Sequence, residues 1–258
     1  MIYCNLKGGL GNMMFQIAAT YALALENNDK CAFKHQTPTL QGLPSRSYLN
    51  NVFSNVNFLD ASKFGYGPEY IEPAFHFQKL PYMHNLRLKG YFQSEKYFAQ
   101  HTEDIRSLFG PSEEISQYIR EKYPVVREKT IAMHARRGDY LRFPNIHPVC
   151  GEKYYYDALE SIDNYEDYNI VICSDDPEWC KNTFDESVYV ITDEKDWIDM
   201  YLMSMCTHNI IANSSFSWWA AWLNMNHEEK IIIAPKRWFG SESPHNIADL
   251  MPEEWIVL

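Results

Sequence analysis

The sequence predicts an α/β fold made of two facing Rossmann-like domains, each with a parallel sheet, and a cleft between them. Three observations carry that expectation. From residue 130 onward, apolar strand-like runs alternate with helical ones. The N-terminus reads strand, glycine turn, helix. Polar clusters recur at the ends of the apolar runs. Alternation of this kind produces βαβ units with right-handed crossovers, and such sheets take ligands beyond the carboxyl ends of their strands.

In chain order, residues 2–6 (IYCNL) form a short strand and Lys7-Gly8-Gly9-Leu10-Gly11 a turn. A helix follows over 13–26 with Asn12 near its start, because Phe15, Ala18, Ala19, Ala22 and Leu25 recur at helical spacing. Between 30 and 90, Pro38, Pro44, Pro68, Pro73 and Pro81 break the chain into pieces that carry no clear assignment. GYFQSEKYF (90–98) reads as a strand end entering a helix. Strands are then expected at 130–134, 168–174, 187–191, 208–212 and 230–235. The helices between them are expected at 152–162, 177–184 (opened by Pro177), 195–206 (capped by Thr192 or Asp193) and 215–225. KYPVVREK separates the halves, so the domains are placed at 1–125 and 126–258, with the C-terminal tail a candidate to return to the first.

The composition excludes several functions. A net charge of −11 argues against nucleic acid, whose phosphates need a basic surface, and against simple attraction to an anionic membrane. No run of about 18 apolar residues suggests a membrane span. Six cysteines without a CxxC make a structural zinc site improbable. Cys4 and Cys173 fall in buried-looking strands as small hydrophobes. A reducing, cytoplasmic setting is the reading of these features.

Four polar clusters sit at strand ends, and their convergence matters more than any one of them. HARRGDY (134–140) gathers basic groups in an acidic chain. Arg136 and Arg137 offer planar forks for a pyrophosphate, or brace a loop against Asp139; one of each role is expected. His134 is placed to bond a ribose or diphosphate oxygen, or is a core histidine satisfied by a carbonyl. Asp175 and Asp176 cap the helix that follows them, or accept from a nucleobase or ribose. Asn213, Ser214, Ser215 and Ser217 open a helix whose free N–H groups suit an anion, against the plainer reading of a serine cap. GGLGN, with Gly9, Gly11 and Asn12, lets backbone approach a ligand or simply makes a tight turn. It is not a dinucleotide fingerprint, because Met14 stands where the third glycine belongs. Trp218, Trp219, Trp222, Met200, Met203 and Met205 read as core. RGD (137–139) as an adhesion motif is the weakest reading.

Together these motifs resemble the α-1,2-fucosyltransferase family of inverting glycosyltransferases. HARRGDY is similar to that family's HxRRxDY pattern, and GGLGNMMFQIA to its GxLGNQMFQYA. GYFQSEKYF, the SDD segment and ANSSFSWWAAWL stand in the family's order. Met13 and Ile17 depart from its usual glutamine and tyrosine. The resemblance implies the GT-B arrangement, metal-independent catalysis and no cofactor. It also implies transfer of fucose from GDP-fucose to the 2-OH of a terminal galactose, in a surface glycan such as O-antigen or capsule. A lipid-linked acceptor would bring the enzyme to the inner membrane face. By resemblance, Arg136 stabilises the diphosphate, His134 helps hold the nucleotide, and Arg137 is more structural. Asn12 approaches the β-phosphate from the first domain. Asn213, Ser214, Ser215 and Ser217 line the donor site with Gly9 and Gly11 on the far side, and Asp175 or Asp176 reads guanosine. Asp139 is the candidate base, or orients an arginine. Residues 36–82 are expected to help shape the acceptor site. The rivals are a glycosyltransferase with another sugar nucleotide or acceptor, and a nucleotide- or glycan-binding protein without turnover.

Overall fold

The structure, a computed structural model, describes residues 1–35, 42–59, 67–226 and 230–258. Pro38 and parts of the 36–82 stretch lie outside the described residues. The chain divides into two compact units. One comprises Met1–Gly110 with His245–Pro252, the other Pro111–Pro244 with Glu253–Leu258.

The first unit is built on a parallel sheet of β1 (Ile2–Asn5), β2 (Cys31–Lys34), β3 (Glu69–Ile71) and β4 (Arg87–Lys89), in the order β2-β1-β4-β3. Helix α1 (Leu10–Glu26) connects β1 to β2. It starts earlier than residue 13, since Gly9 rather than Asn12 stands at its N-cap. Gly8, with φ +83°, turns the chain from strand to helix in the left-handed region that glycine tolerates. Most of α1 is buried, because its alanines and Phe15 pack a face wider than one stripe. β2, β3 and β4 had no assignment, because each is only three or four residues long and carries charged residues. The unit also contains α2 (Thr102–Phe109). The returning segment 245–252 is held there: Asp249 pairs with Lys96 and accepts from the Phe77 N–H at 3.0 Å.

The second unit begins with α3 (Glu113–Lys122), ahead of the 125/126 division expected from sequence. Tyr118 and Tyr123 both donate to Glu194 of this unit, at 2.9 and 2.8 Å. Those contacts hold α3 to residues that no local pattern connects to it. The remaining elements are β5 (Thr130–Ala135), α4 (Glu152–Glu160), β6 (Asn169–Ser174), α5 (Pro177–Thr183), β7 (Tyr189–Ile191), α6 (Asp196–Ser204), β8 (His208–Ile210), α7 (Ser215–Trp222), β9 (Ile232–Ala234) and β10 (Ile256–Val257). The strands and helices expected in this unit are all present, most with shorter ends and β5 one residue longer than 130–134. One detail differs: neither Thr192 nor Asp193 caps α6. Lys195 occupies that position without a side-chain bond, and Asp193 sits at φ +63° in the preceding turn.

All pairings in this sheet are parallel, in the order β10-β9-β8-β5-β6-β7. The core packs Ile131, Met133, Ile172, Ile210 and Ile233 of the strands against Tyr155, Ala158 and Leu159 of α4. Trp218, Trp219 and Trp222 are buried, as are Met200 and Met203, while Met205 is half-buried. All six cysteines are free thiols. Burial pushes the Cys4 and Cys206 thiols up to about 12, which keeps them protonated.

Candidate active site

The strand order places a topological switch point between β5 and β8. From β5 the chain winds outward one way to β6 and β7, and from β8 the other way to β9. At such a point the loops leaving two adjacent strands part, and a crevice opens at their carboxyl ends. The residues leaving β5 are Arg136 to Tyr140. Those leaving β8 are Ile211 to Ser214, which lead into α7.

Arg136 is partly exposed, at 28%, and is held between two carboxylates. One of its terminal nitrogens pairs with Asp139 and the other with Asp175 at 2.9 Å. Arg137 is braced differently. Its backbone N–H donates to Asp175 Oδ1 at 2.8 Å, its Nε to Asp176 Oδ2 at 2.9 Å, and its guanidinium lies 4.2 Å from the Trp179 ring centre. That guanidinium, together with the Trp179 N–H, holds the Asp176 carboxyl below its usual range. Both carboxylates are occupied within the chain, Asp175 as the common anchor of the two arginines and Asp176 as the cap of α5. Gly138 explains the spacing of RRGD, since a Cβ there would lie 2.5 Å from Asp175 Oδ2.

At the other side of the switch point, Ser214 caps α7 and accepts from the Phe216 N–H at 3.3 Å. Ser215 is the first helical residue and half-buried. Two expected ligand residues point elsewhere. Ser217 is fully buried and donates back to the carbonyls of Ala212 and Ser214. Asn213 is also buried, and its side-chain amide donates to the carbonyls of Pro148 (2.8 Å) and Trp238 (3.0 Å). Asn213 thus knits three loops together, a role that sequence spacing does not reveal.

His134 is 5% exposed, and its Nδ1 has no hydrogen-bond partner among the described residues. No carbonyl of the described residues bonds that nitrogen. Burial, aided by the Arg136 charge, pulls its pKa down to about 3, so the ring is neutral. Tyr155 fixes its backbone by donating to the His134 carbonyl at 2.9 Å.

In the first unit, β1 and β4 are neighbouring parallel strands whose following loops lie at the same sheet end. GGLGN leaves β1, and Gly90-Tyr91-Phe92-Gln93 leaves β4. Gln93 Nε2 donates to Asn12 Oδ1 at 2.6 Å and joins the two loops. Gln16, fully buried, exchanges two bonds with the Lys7 backbone and donates to the Asn12 carbonyl. Glu72 accepts from the Tyr91 and Phe92 N–H groups, which holds Phe92 at φ +55°. Gly9 and Gly11 are backbone positions of the turn and the first helical turn. Gln93 and Glu72 were missed because each acts on a loop distant in sequence, and Gln16 because its position within a helix does not show that it turns back to the Lys7 backbone.

Asp199 on α6 was also missed. Its Oδ1 is buried without a partner among the described residues, and burial, reinforced by Glu194 and Asp196, pushes its carboxyl up to about 7. Among those residues, no group of three or more metal-ligating side chains converges. No helix among them is long and apolar enough to cross a membrane.

The model of the family described as Glycosyl transferase family 11 matches residues 1–258. The chain belongs to glycosyltransferase family 11. It is 32% identical to an alpha-1,2-colitosyltransferase of Escherichia coli, over 99% of this chain and 98% of that protein. It is 31% identical to the O-antigen biosynthesis glycosyltransferase WbnK of Escherichia coli, over the full length of both. Similarity to the galactoside alpha-(1,2)-fucosyltransferase 1 of Homo sapiens is 29% over 54% of this chain and 43% of that one. Among solved structures, the fold is similar to that of the fucosyltransferase NodZ from Bradyrhizobium, with TM-score 0.55 at 14% identity, covering 85% of this chain and 91% of NodZ. It is also similar to POFUT1 in complex with GDP-fucose, with TM-score 0.51 at 9% identity, covering 90% and 96%. This family 11 enzyme therefore has the GT-B-like α/β fold, with a parallel sheet in each unit.

Proposed function

We propose that this enzyme transfers L-fucose from GDP-fucose to the 2-OH of a terminal galactose, with inversion at the anomeric carbon, in a surface glycan such as O-antigen or capsule. The observation that carries this reading is the β5/β8 switch point. There a guanidinium and a helix start meet at strand ends, beside a neutral histidine with an unpaired buried nitrogen. The acceptor hydroxyl oxygen attacks the anomeric carbon, the bond to the β-phosphate oxygen breaks with its electron pair leaving on GDP, and the hydroxyl proton passes to solvent water. Arg136 and the N–H groups at the start of α7 stabilise the charge that develops on that phosphate, commonly the largest catalytic term. His134, being neutral, offers one donor or acceptor to the nucleotide without adding charge. Asp139 is occupied by Arg136 and is assigned the orienting role rather than that of base. Asn12 is a further donor to the leaving phosphate, on the family resemblance. The acceptor is lipid-linked and met at the cytoplasmic face of a membrane.

A second reading has its own support. The colitosyltransferase relative is aligned over nearly its whole length, and its name prints the same 1,2 linkage with a different sugar. Colitosyl transfer is therefore the competing activity. The test is transfer from a panel of sugar nucleotides to galactose-terminated oligosaccharides, with chelator present, read by mass spectrometry and linkage analysis. A fucosylated product linked at the galactose 2-position supports the proposal and its metal independence. A product formed only with another sugar moves the donor assignment, and no GDP binding by folded protein overturns the nucleotide site.

A further inference from the structure

We propose that Tyr140 is a positioning residue for the transfer, holding the Arg136 guanidinium and the start of α7 at the spacing that a diphosphate requires. The inference rests on the GDP-sugar donor reading above and deepens it.

Tyr140 lies in the short turn after β5 and touches both halves of the anion site. Arg136 stands over its ring, 5.4 Å from the ring centre. Its hydroxyl donates to the Asn213 carbonyl at 3.0 Å, on the residue immediately before the cap of α7. His147 stacks on the ring at 4.7 Å and an interplanar angle of 17°. Asn213 cannot drift to follow a displaced tyrosine, because its amide is tied to the Pro148 and Trp238 carbonyls. A rigid ring is thus clamped between a fixed carbonyl and a guanidinium. Burial raises the pKa of the Tyr140 hydroxyl well above the ordinary phenol value, so it remains a donor at any working pH.

The physical consequence is specific. Asp139 and Asp175 pair with Arg136 and set its charge environment, but both lie on the β5 and β6 side of the crevice. Tyr140 joins that side to the β8 loop. The two groups that meet the phosphate are thereby kept in register, and a displacement of about 1 Å can cost a reaction roughly 100-fold. Deleting the hydroxyl leaves the carbonyl of the buried Asn213 without this donor, a cost to stability, so turnover is compared at a temperature at which both proteins are folded.

The experiment compares the wild-type protein with Tyr140→Phe and Tyr140→Leu. It measures kcat and KM for GDP-fucose, GDP affinity by calorimetry, and Tm. The expected result for Tyr140→Phe, measured well below the Tm of either protein, is a kcat at least about tenfold lower and weaker GDP binding, with a Tm lowered by only a few degrees. Tyr140→Leu, which also removes the surface under Arg136, is expected to lose more. Wild-type kcat and GDP affinity in Tyr140→Phe overturn the proposal. So does a loss of kcat that tracks a lowered Tm and recovers on cooling, the mark of a packing role alone. Wild-type protein that is folded yet binds no GDP defeats the donor reading itself, a separate failure seen in the control.

Discussion

Arg136 carries the charge that the proposed chemistry needs, yet it is already paired with two carboxylates. An incoming diphosphate must compete with Asp139 and Asp175 for it, and the gain is greatest where charge is still growing. Arg136→Ala is therefore expected to lower kcat by about 100- to 1,000-fold, the range for loss of one oxyanion donor. Its Tm should move little, since a partly exposed ion pair contributes only about 0–1 kcal/mol. Steady-state kinetics and a melting curve read both quantities. Asp199 gives the opposite kind of prediction. Its folded pKa, about 7, stands above the unfolded value of about 4, so the folded state binds the extra proton between those limits. Stability present at the acidic end of that window is lost as pH rises through it and stays lost above. Asp199→Asn should consequently stabilise the ligand-free protein by about 1–3 kcal/mol at pH 8, and the difference should vanish near pH 4. Urea unfolding at the two pH values measures it. A variant no more stable than wild type at pH 8 would show that the carboxyl is not strained.

At the level of elements, the site depends on how closely loops approach. Gly138→Ala places a Cβ against Asp175 Oδ2, so the anchor of both arginines must move. The expected cost is about 1–3 kcal/mol of stability, with a larger fall in kcat than stability alone explains. Gly151→Ala is the control, because nothing lies within 4 Å of its added Cβ. Its Tm and kcat should stay near wild type. Helix α7 shows how far local patterns reach. ANSSFSWWAAWL announces a helix with a serine cap and a buried tryptophan face, and Ser214, Trp218, Trp219 and Trp222 take those places. The pattern says nothing of which polar side chains face outward. Ser217 turns back to two carbonyls at the start of its own helix, and Asn213 to two loops whose residues lie 25 and 65 positions away. Helix α3 was unassigned for a related reason: only Ser116 and Ile119 of it are buried, so its apolar stripe is too thin to read.

For the whole molecule, charge makes a prediction of its own. The chain carries −11, and the proposed donor is an anion. Long-range repulsion is screened by salt over about 10 Å at 0.1 M, whereas contacts with Arg136 act at shorter range. Raising ionic strength from about 0.01 to 0.1 M should therefore lower KM for the donor. A KM that rises instead would mean that local attraction governs capture. The same scale shows the division between sequence and tertiary structure. Hydrophobic periodicity is a property of neighbours along the chain, so βαβ alternation, the buried tryptophans and the polar strand ends were legible from residues alone. HARRGDY and GGLGN stood out because unusual residues cluster within a few positions. Strand order is not local: only pairing places β5 beside β8 and β1 beside β4, and only that order makes the β5/β8 end a switch point. The Asp175 partner of both arginines, the loops that Asn213 ties and the Tyr140 bond to Asn213 were decided in the same way, by contacts between loops distant in sequence. The sequence by itself determined the fold class and the segments in which unusual polar residues cluster at strand ends, because both follow from local pattern. Tertiary structure decided which side chains in those segments face the crevice and which hold its walls, because a buried polar group takes whatever partner folding brings within reach.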